Sequence, residues 1–292
     1  MGGLSRAVRA AGLRTGPVFE LASGAEFDLT RRSTQLLVLA WIRTGRIWGV
    51  HLGTPCSAWS IARRGVKNLR KARNKELIAV ELALFSAEIV TECARNGVRW
   101  SIENPRSSRL WAFDPIARLL ALPGAHYIYF DMCRYTSQHR KPTALLTDND
   151  TLDVLGALCN HDVRHEPLAG SVRVRCEDGR FRYRSATALA AAYPAELCRR
   201  WAAALDGSAP LASKGEQPGW LAAWHADLQG LVRRGRSSRR LADLQELRGD
   251  EMATVTPYTA IKYLRTHDVT FGGSVGRLPA GSHDKFLASA SA

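Results

Sequence analysis

Two apolar segments of this chain each run straight into residues that stop a strand and can carry chemistry, and that repetition narrows the possible folds most. Ile47 to Leu52 leads into Gly53-Thr54-Pro55-Cys56, and Val98 to Ile102 leads into Glu103-Asn104-Pro105. Between them Ile78, Leu82, Phe85 and Ile89 recur at helical spacing, one face of a helix that stops before Gly97. Pro17 to Leu21 reads as an earlier short strand, and Leu36 to Ile42 as a buried helix that Asp28 or Thr30 can cap. Further on come a short helix around Pro115 to Leu122, a strand from His126 to Phe130, a polar link from Asp131 to Pro142 and a strand from Thr143 to Leu146. Strands alternating with helices predict an α/β fold with a mostly parallel sheet covered on both faces, because parallel strands need crossover connections. In such sheets the working residues gather beyond the C-terminal ends of the strands. Cys56 and Glu103 fall there.

The 292 residues are 46% hydrophobic and 23% charged, which suits a folded chain and excludes one kept disordered by low hydrophobicity. No run approaches the roughly 18 apolar residues of a membrane span, and the N-terminus lacks a secretory pattern, so a soluble, intracellular protein without membrane partners is expected. Six scattered cysteines fit reduced thiols better than a disulfide framework. The formal net charge of +14 points to a polyanionic partner, nucleic acid first. Residues 1–205 read as one domain. From 206 to 292 Gly, Ser and Pro become frequent around a basic patch (RRGRSSRR, 233–240), as in a linker with a basic appendage.

Cys56 follows a proline whose fixed φ steadies the turn, which suits a nucleophile aimed at a substrate; the bland reading is a small buried apolar residue. Glu103 leaves an apolar strand as a partly desolvated carboxyl, suited to proton donation; the bland reading is a capping or ion-paired glutamate. From Ile61 to Lys75 runs the densest positive stretch, with Arg63, Arg64 and Lys67 directly after Cys56 and no acid among them. Cys133, Cys159, His161 and His165 are residue types that bind zinc, but their intervals match no common structural-zinc pattern, and no metal site is assigned.

Four pieces in order resemble the cytosine-C5 DNA methyltransferases: Gly2-Gly3-Leu4-Ser5 with Ala11-Gly12, Pro55-Cys56, Glu103-Asn104-Pro105, and Tyr135 through Gln138-His139-Arg140. The resemblance covers residues 1–205 and implies a three-layer Rossmann-like fold that binds S-adenosylmethionine. It makes Cys56 the nucleophile that adds to carbon 6 of a flipped cytosine in DNA, with RNA left open. Glu103 would hydrogen-bond the base, and Arg140 would stand near the cytosine carbonyl or hold its loop. Gly2, Gly3, Leu4 and Ser5 would form the cofactor loop with Pro55 nearby, Glu20 would end a strand and bind the ribose, and Asp28 would lie near the adenine. Arg63, Arg64 and Lys67 would meet phosphates. A DNA substrate implies the nucleus in a eukaryotic cell.

The departures from the family pattern are specific. The first cofactor strand expected upstream of Gly2-Gly3 is missing, Thr136 stands where the family has glycine, and Arg140-Lys141-Pro142 replaces Arg-x-Arg. No target-recognition insert is evident, and Tyr193-Pro194 is a remote echo of a later motif. A catalytically silent module that binds nucleic acid is therefore the second reading. A third, an unrelated cysteine hydrolase, would need His51 as the base beside Cys56.

Overall fold

The computed structural model describes residues 2–43, 45, 47–60, 69–162, 164–176, 178–210, 214 and 226. Arg63, Arg64, Lys67 and nearly all of the expected appendage lie outside the described residues. The helices are α1 (Gly3–Ala10), α2 (Arg32–Arg43), α3 (Leu69–Arg95), α4 (Asp114–Ala117), α5 (Ala186–Leu189) and α6 (Ala195–Ser208); the strands are β1 (Gly49–Leu52), β2 (Arg99–Pro105), β3 (His126–Asp131), β4 (Pro142–Thr147), β5 (Ser171–Arg175) and β6 (Phe181–Ser185).

Four strands form one mixed sheet in the order β1-β2-β4-β3. β1 runs parallel to β2, while β4 runs antiparallel to both β2 and β3. β1, β2 and β3 therefore point the same way, with β4 reversed between β2 and β3. The expectation of a mostly parallel sheet is corrected here, for a local reason. No helix long enough to form a crossover lies between β3 and β4, so the chain turns through a 3-10 segment (Met132–Tyr135) and pairs back on β3. The three co-directional strands still bring the segments after Leu52, Pro105 and Asp131 to one edge.

Alternation along the strands sends side chains to two cores. Trp100, Ile102 and Leu146 join residues of α2 and α3, while Ile128, Phe130 and Leu145 join Leu197 and Trp201 of α6, with Leu4 of α1 packed against them. Two ion pairs clamp α2 to α3, Arg32 to Glu88 at 3.2 Å and Arg43 to Glu92 at 2.9 Å.

Two local expectations fail. Pro17 to Leu21 is not a strand: Pro17 to Glu20 is irregular and Leu21 begins a 3-10 turn. Phe19 there packs against Phe27 and Trp41, each ring at 6.0 Å, so its hydrophobicity anchors a loop. Gly2 to Ser5 is not an open glycine loop. Gly3, Leu4 and Ser5 begin α1, whose Leu, Ala and Arg residues favour a helix and which packs on α6. A two-stranded β5–β6 hairpin, not foreseen, stands outside the main sheet.

Candidate active site

The loop after β1 and the end of β2 are tied together from below. Asn104, fully buried, donates from Nδ2 to the Thr54 carbonyl oxygen at 2.6 Å, and the Thr54 hydroxyl meets Ser86 Oγ of α3 at 3.0 Å. The Trp59 amide closes a turn onto the Cys56 carbonyl at 3.0 Å. Asn104 thus does more than stiffen its own turn: pointing to the α3 side of the sheet, it holds the loop that carries Cys56. Its neighbour Glu103 points to the opposite, α6 side.

Glu103 is buried, and its carboxyl oxygens have different environments. Oε2 accepts a hydrogen bond from the Tyr193 hydroxyl at 3.1 Å, whereas Oε1 is buried with no partner. Burial raises the carboxyl's proton affinity, against the opposing effects of Lys141 and the Tyr193 bond. Tyr193 is itself 3.0 Å from His51 Nε2, and His51 Nδ1 is 3.0 Å from Ser101 Oγ. Because Tyr193 gives its one proton to Glu103, its oxygen accepts from His51 Nε2–H, which leaves Nδ1 to accept from Ser101. Burial lowers the imidazole to about 4, so it is neutral. The chain Ser101–His51–Tyr193–Glu103 fixes Oε2 and leaves Oε1 as the oxygen able to present a proton.

Cys56 is exposed as a residue, yet its thiol is partly desolvated. Burial first, then the charge of Glu103, raise it; Lys141 and a backbone hydrogen bond act the other way. The thiol therefore rests protonated at neutral pH, within electrostatic reach of Glu103 and Lys141. Lys141 is the cation that both groups feel, and its backbone sits at φ 36°, a left-handed conformation costly for a side-chain-bearing residue.

Cys56 and Glu103 are thus brought to one edge of the sheet, and Pro55 lies beside them. Arg140 Nε donates to Asp131 Oδ2 at 3.3 Å, a contact of the loop-holding kind. Glu20 is exposed on irregular chain instead of ending a strand. Asp28 Oδ1 accepts from the Thr30 amide at 3.0 Å and the Thr30 hydroxyl at 2.7 Å, a turn ahead of α2. His51 cannot serve a hydrolase as the base on Cys56, because both ring nitrogens are engaged and Trp201 lies against it at 4.7 Å. Tyr193, Lys141 and Asn104 were named from the sequence without the roles that the structure gives them. The signals available were Tyr193-Pro194 heading a helical stretch and Lys141 standing beside Arg140.

Of the residues assigned to S-adenosylmethionine, Gly3, Leu4 and Ser5 lie in α1, and Glu20 and Asp28 lie on irregular chain before α2. A Cβ at Gly3 would lie 3.5 Å from Cys198 Sγ and 4.0 Å from the Tyr193 carbonyl oxygen, ordinary contact distances, so α1 lies against α6 here with room for a larger residue. Comparison with family models, curated proteins and solved structures finds no match for the chain. No helix among the described residues is long and apolar enough to cross a membrane.

Proposed function

We propose that this protein engages cytosine in DNA by the chemistry of a cytosine-C5 methyltransferase, adding the Cys56 thiolate to carbon 6 of a base turned out of the stack. The observation that carries the reading is Glu103 Oε1, a buried carboxyl oxygen without a partner, held at the strand end next to the Cys56 loop. A buried polar atom left unpaired is costly and calls for a ligand group. Glu103 with its raised proton affinity donates from Oε1 to the base N3 as the sulfur–C6 bond forms. The electrons of the C5–C6 double bond then shift to C4–C5, giving a neutral enamine and a Glu103 carboxylate. The thiol proton leaves to solvent, and the Lys141 ammonium favours first the thiolate and then the carboxylate.

S-adenosylmethionine is the methyl donor that the resemblance implies for carbon 5. Since Gly3, Leu4 and Ser5 lie in α1 and Glu20 is exposed, the chemistry these residues carry stops at the base. The same observation favours a second reading, a module that binds nucleic acid and no longer transfers a methyl group. A Rossmann-like arrangement is likewise the finer reading of the mixed sheet, supported by the common direction of β1, β2 and β3.

Nucleosides from DNA incubated with the full chain and S-adenosylmethionine, read by mass spectrometry, test the methyltransferase reading. It predicts 5-methylcytosine that disappears with Cys56→Ala and forms about a hundredfold more slowly with Glu103→Gln. No product despite salt-sensitive DNA retention selects the second reading, and product undiminished in Cys56→Ala contradicts the thiol's role.

A further inference from the structure

We infer that Cys133, Cys159, His161 and His165 form a structural zinc site that fastens the segment after residue 156 to the end of β3. One ligand atom from each residue lies within 4.8 Å of all the others. Cys159 Sγ is 3.5 Å from His161 Nδ1 and 3.6 Å from His165 Nε2, and those two nitrogens are 3.3 Å apart. A tetrahedral zinc with bonds of about 2.3 Å to sulfur and about 2.05 Å to nitrogen has S···N edges of about 3.55 Å and N···N edges of about 3.35 Å. The three separations match the edges of that one tetrahedron. Two thiols and two imidazoles select zinc over the hard cations magnesium and calcium, and four protein ligands close the coordination sphere.

The surroundings position these ligands as a second layer. Asp131, fully buried, accepts from the Cys159 backbone amide at 2.8 Å and from Arg140 Nε at 3.3 Å through the same oxygen. Arg134 donates to the Asn160 side chain, His139 Nδ1 donates to the Glu166 carbonyl at 3.1 Å, and the Asp131 amide donates to the Ala157 carbonyl at 2.9 Å. Contacts of this kind orient metal ligands and sharpen their affinity. The intervals match no common zinc pattern because β4 and a 3-10 turn separate Cys133 from the other ligands. A metal there holds the base of the β5–β6 hairpin and the loop carrying Arg140 and Lys141, and the observations that argue for it do not rest on the reaction proposed above.

The full chain, purified without chelator, should carry about one zinc by elemental mass spectrometry. Cys159→Ser combined with His165→Ala should bring that content down about tenfold or more, while Cys56→Ser and Cys176→Ser leave it unchanged. Cobalt(II) added to the stripped, unaltered chain should give the intense visible bands of a tetrahedral ion with thiolate charge transfer, a reading that does not depend on any variant folding. A folded chain without zinc that gives only the weak spectrum of octahedral cobalt overturns the site. So does zinc retained in full by the double variant.

Discussion

A neutral imidazole sits at the centre of the candidate site, and its neutrality has a measurable consequence. His51 stays unprotonated in the folded chain down to about 4, whereas unfolded it takes up a proton near 6.5. Between these values the unfolded chain binds more protons, so this contribution to stability falls as pH drops, by about 3 kcal/mol across the window. Glu103 acts in the opposite sense. Its raised proton affinity stabilises the fold at low pH, and that contribution is lost as pH rises through its folded value. Subtracting the curve of His51→Gln from that of the unaltered chain isolates the histidine. Denaturant unfolding should show the unaltered chain losing about 2 to 3 kcal/mol more than the variant between about pH 7 and about pH 4.5; parallel curves would contradict a buried neutral His51. Cys56 and Glu103 were legible as residues because each stands at the end of an apolar run beside a proline, a local signal, although the strand of Glu103 continues through Pro105. Tyr193 was not, because its role comes from a hydrogen bond to Glu103 across 90 positions of sequence. Thr136 illustrates a third case. It occupies φ 67°, a left-handed position that suits glycine and costs a threonine conformational energy.

At the scale of elements, the β5–β6 hairpin is the exposed basic surface nearest in sequence to the proposed zinc site. Its register pairs Arg173 with Tyr183 and Arg175 with Phe181, which puts two arginines and two aromatic rings on one face. Phe181 and Tyr183 are 55% and 75% exposed, and the Arg173 guanidinium lies 3.9 Å from the Phe181 ring centroid. Rings beside cations suit unstacked bases and their phosphates. Replacing Arg173 and Arg175 with alanine should lower the salt dependence of DNA retention by about two phosphate contacts, and Tyr183→Ala should weaken single-strand binding by about 1–3 kcal/mol. Filter binding across a salt series reads both, and unchanged slopes would remove the hairpin from the interface. The strands β1 to β4 and helices α2 and α3 were legible from periodic burial. The hairpin was hidden because Arg173, Arg175, Arg182 and Arg184 interrupt its apolar residues on a solvent-facing ribbon, where core burial imposes no pattern. Pro17 to Leu21 misled in the opposite direction, since Phe19 packs as a loop anchor while Leu21 is exposed.

Across the whole molecule, three strands running one way gather the Cys56 loop, Glu103 and the segment leading to Lys141 on a common edge, in a chain with a net charge of +14. The reversed β4 leaves that convergence intact although the sheet proved mixed. The cofactor half was less legible: glycines after Met1 are compatible with a loop or a helix start, and packing of α1 on α6 decided for the helix. The central claim is that Cys56 adds to cytosine with Glu103 as proton donor, and addition can be observed without a methyl donor. An enamine carbon takes a deuteron from heavy water and releases the original proton when the thiol departs. Mass spectrometry of cytosine from DNA incubated with the chain in deuterium oxide should therefore show exchange at carbon 5, abolished by Cys56→Ala and strongly slowed by Glu103→Gln. Exchange no faster than in the protein-free control, from a folded chain that retains DNA, would contradict the account.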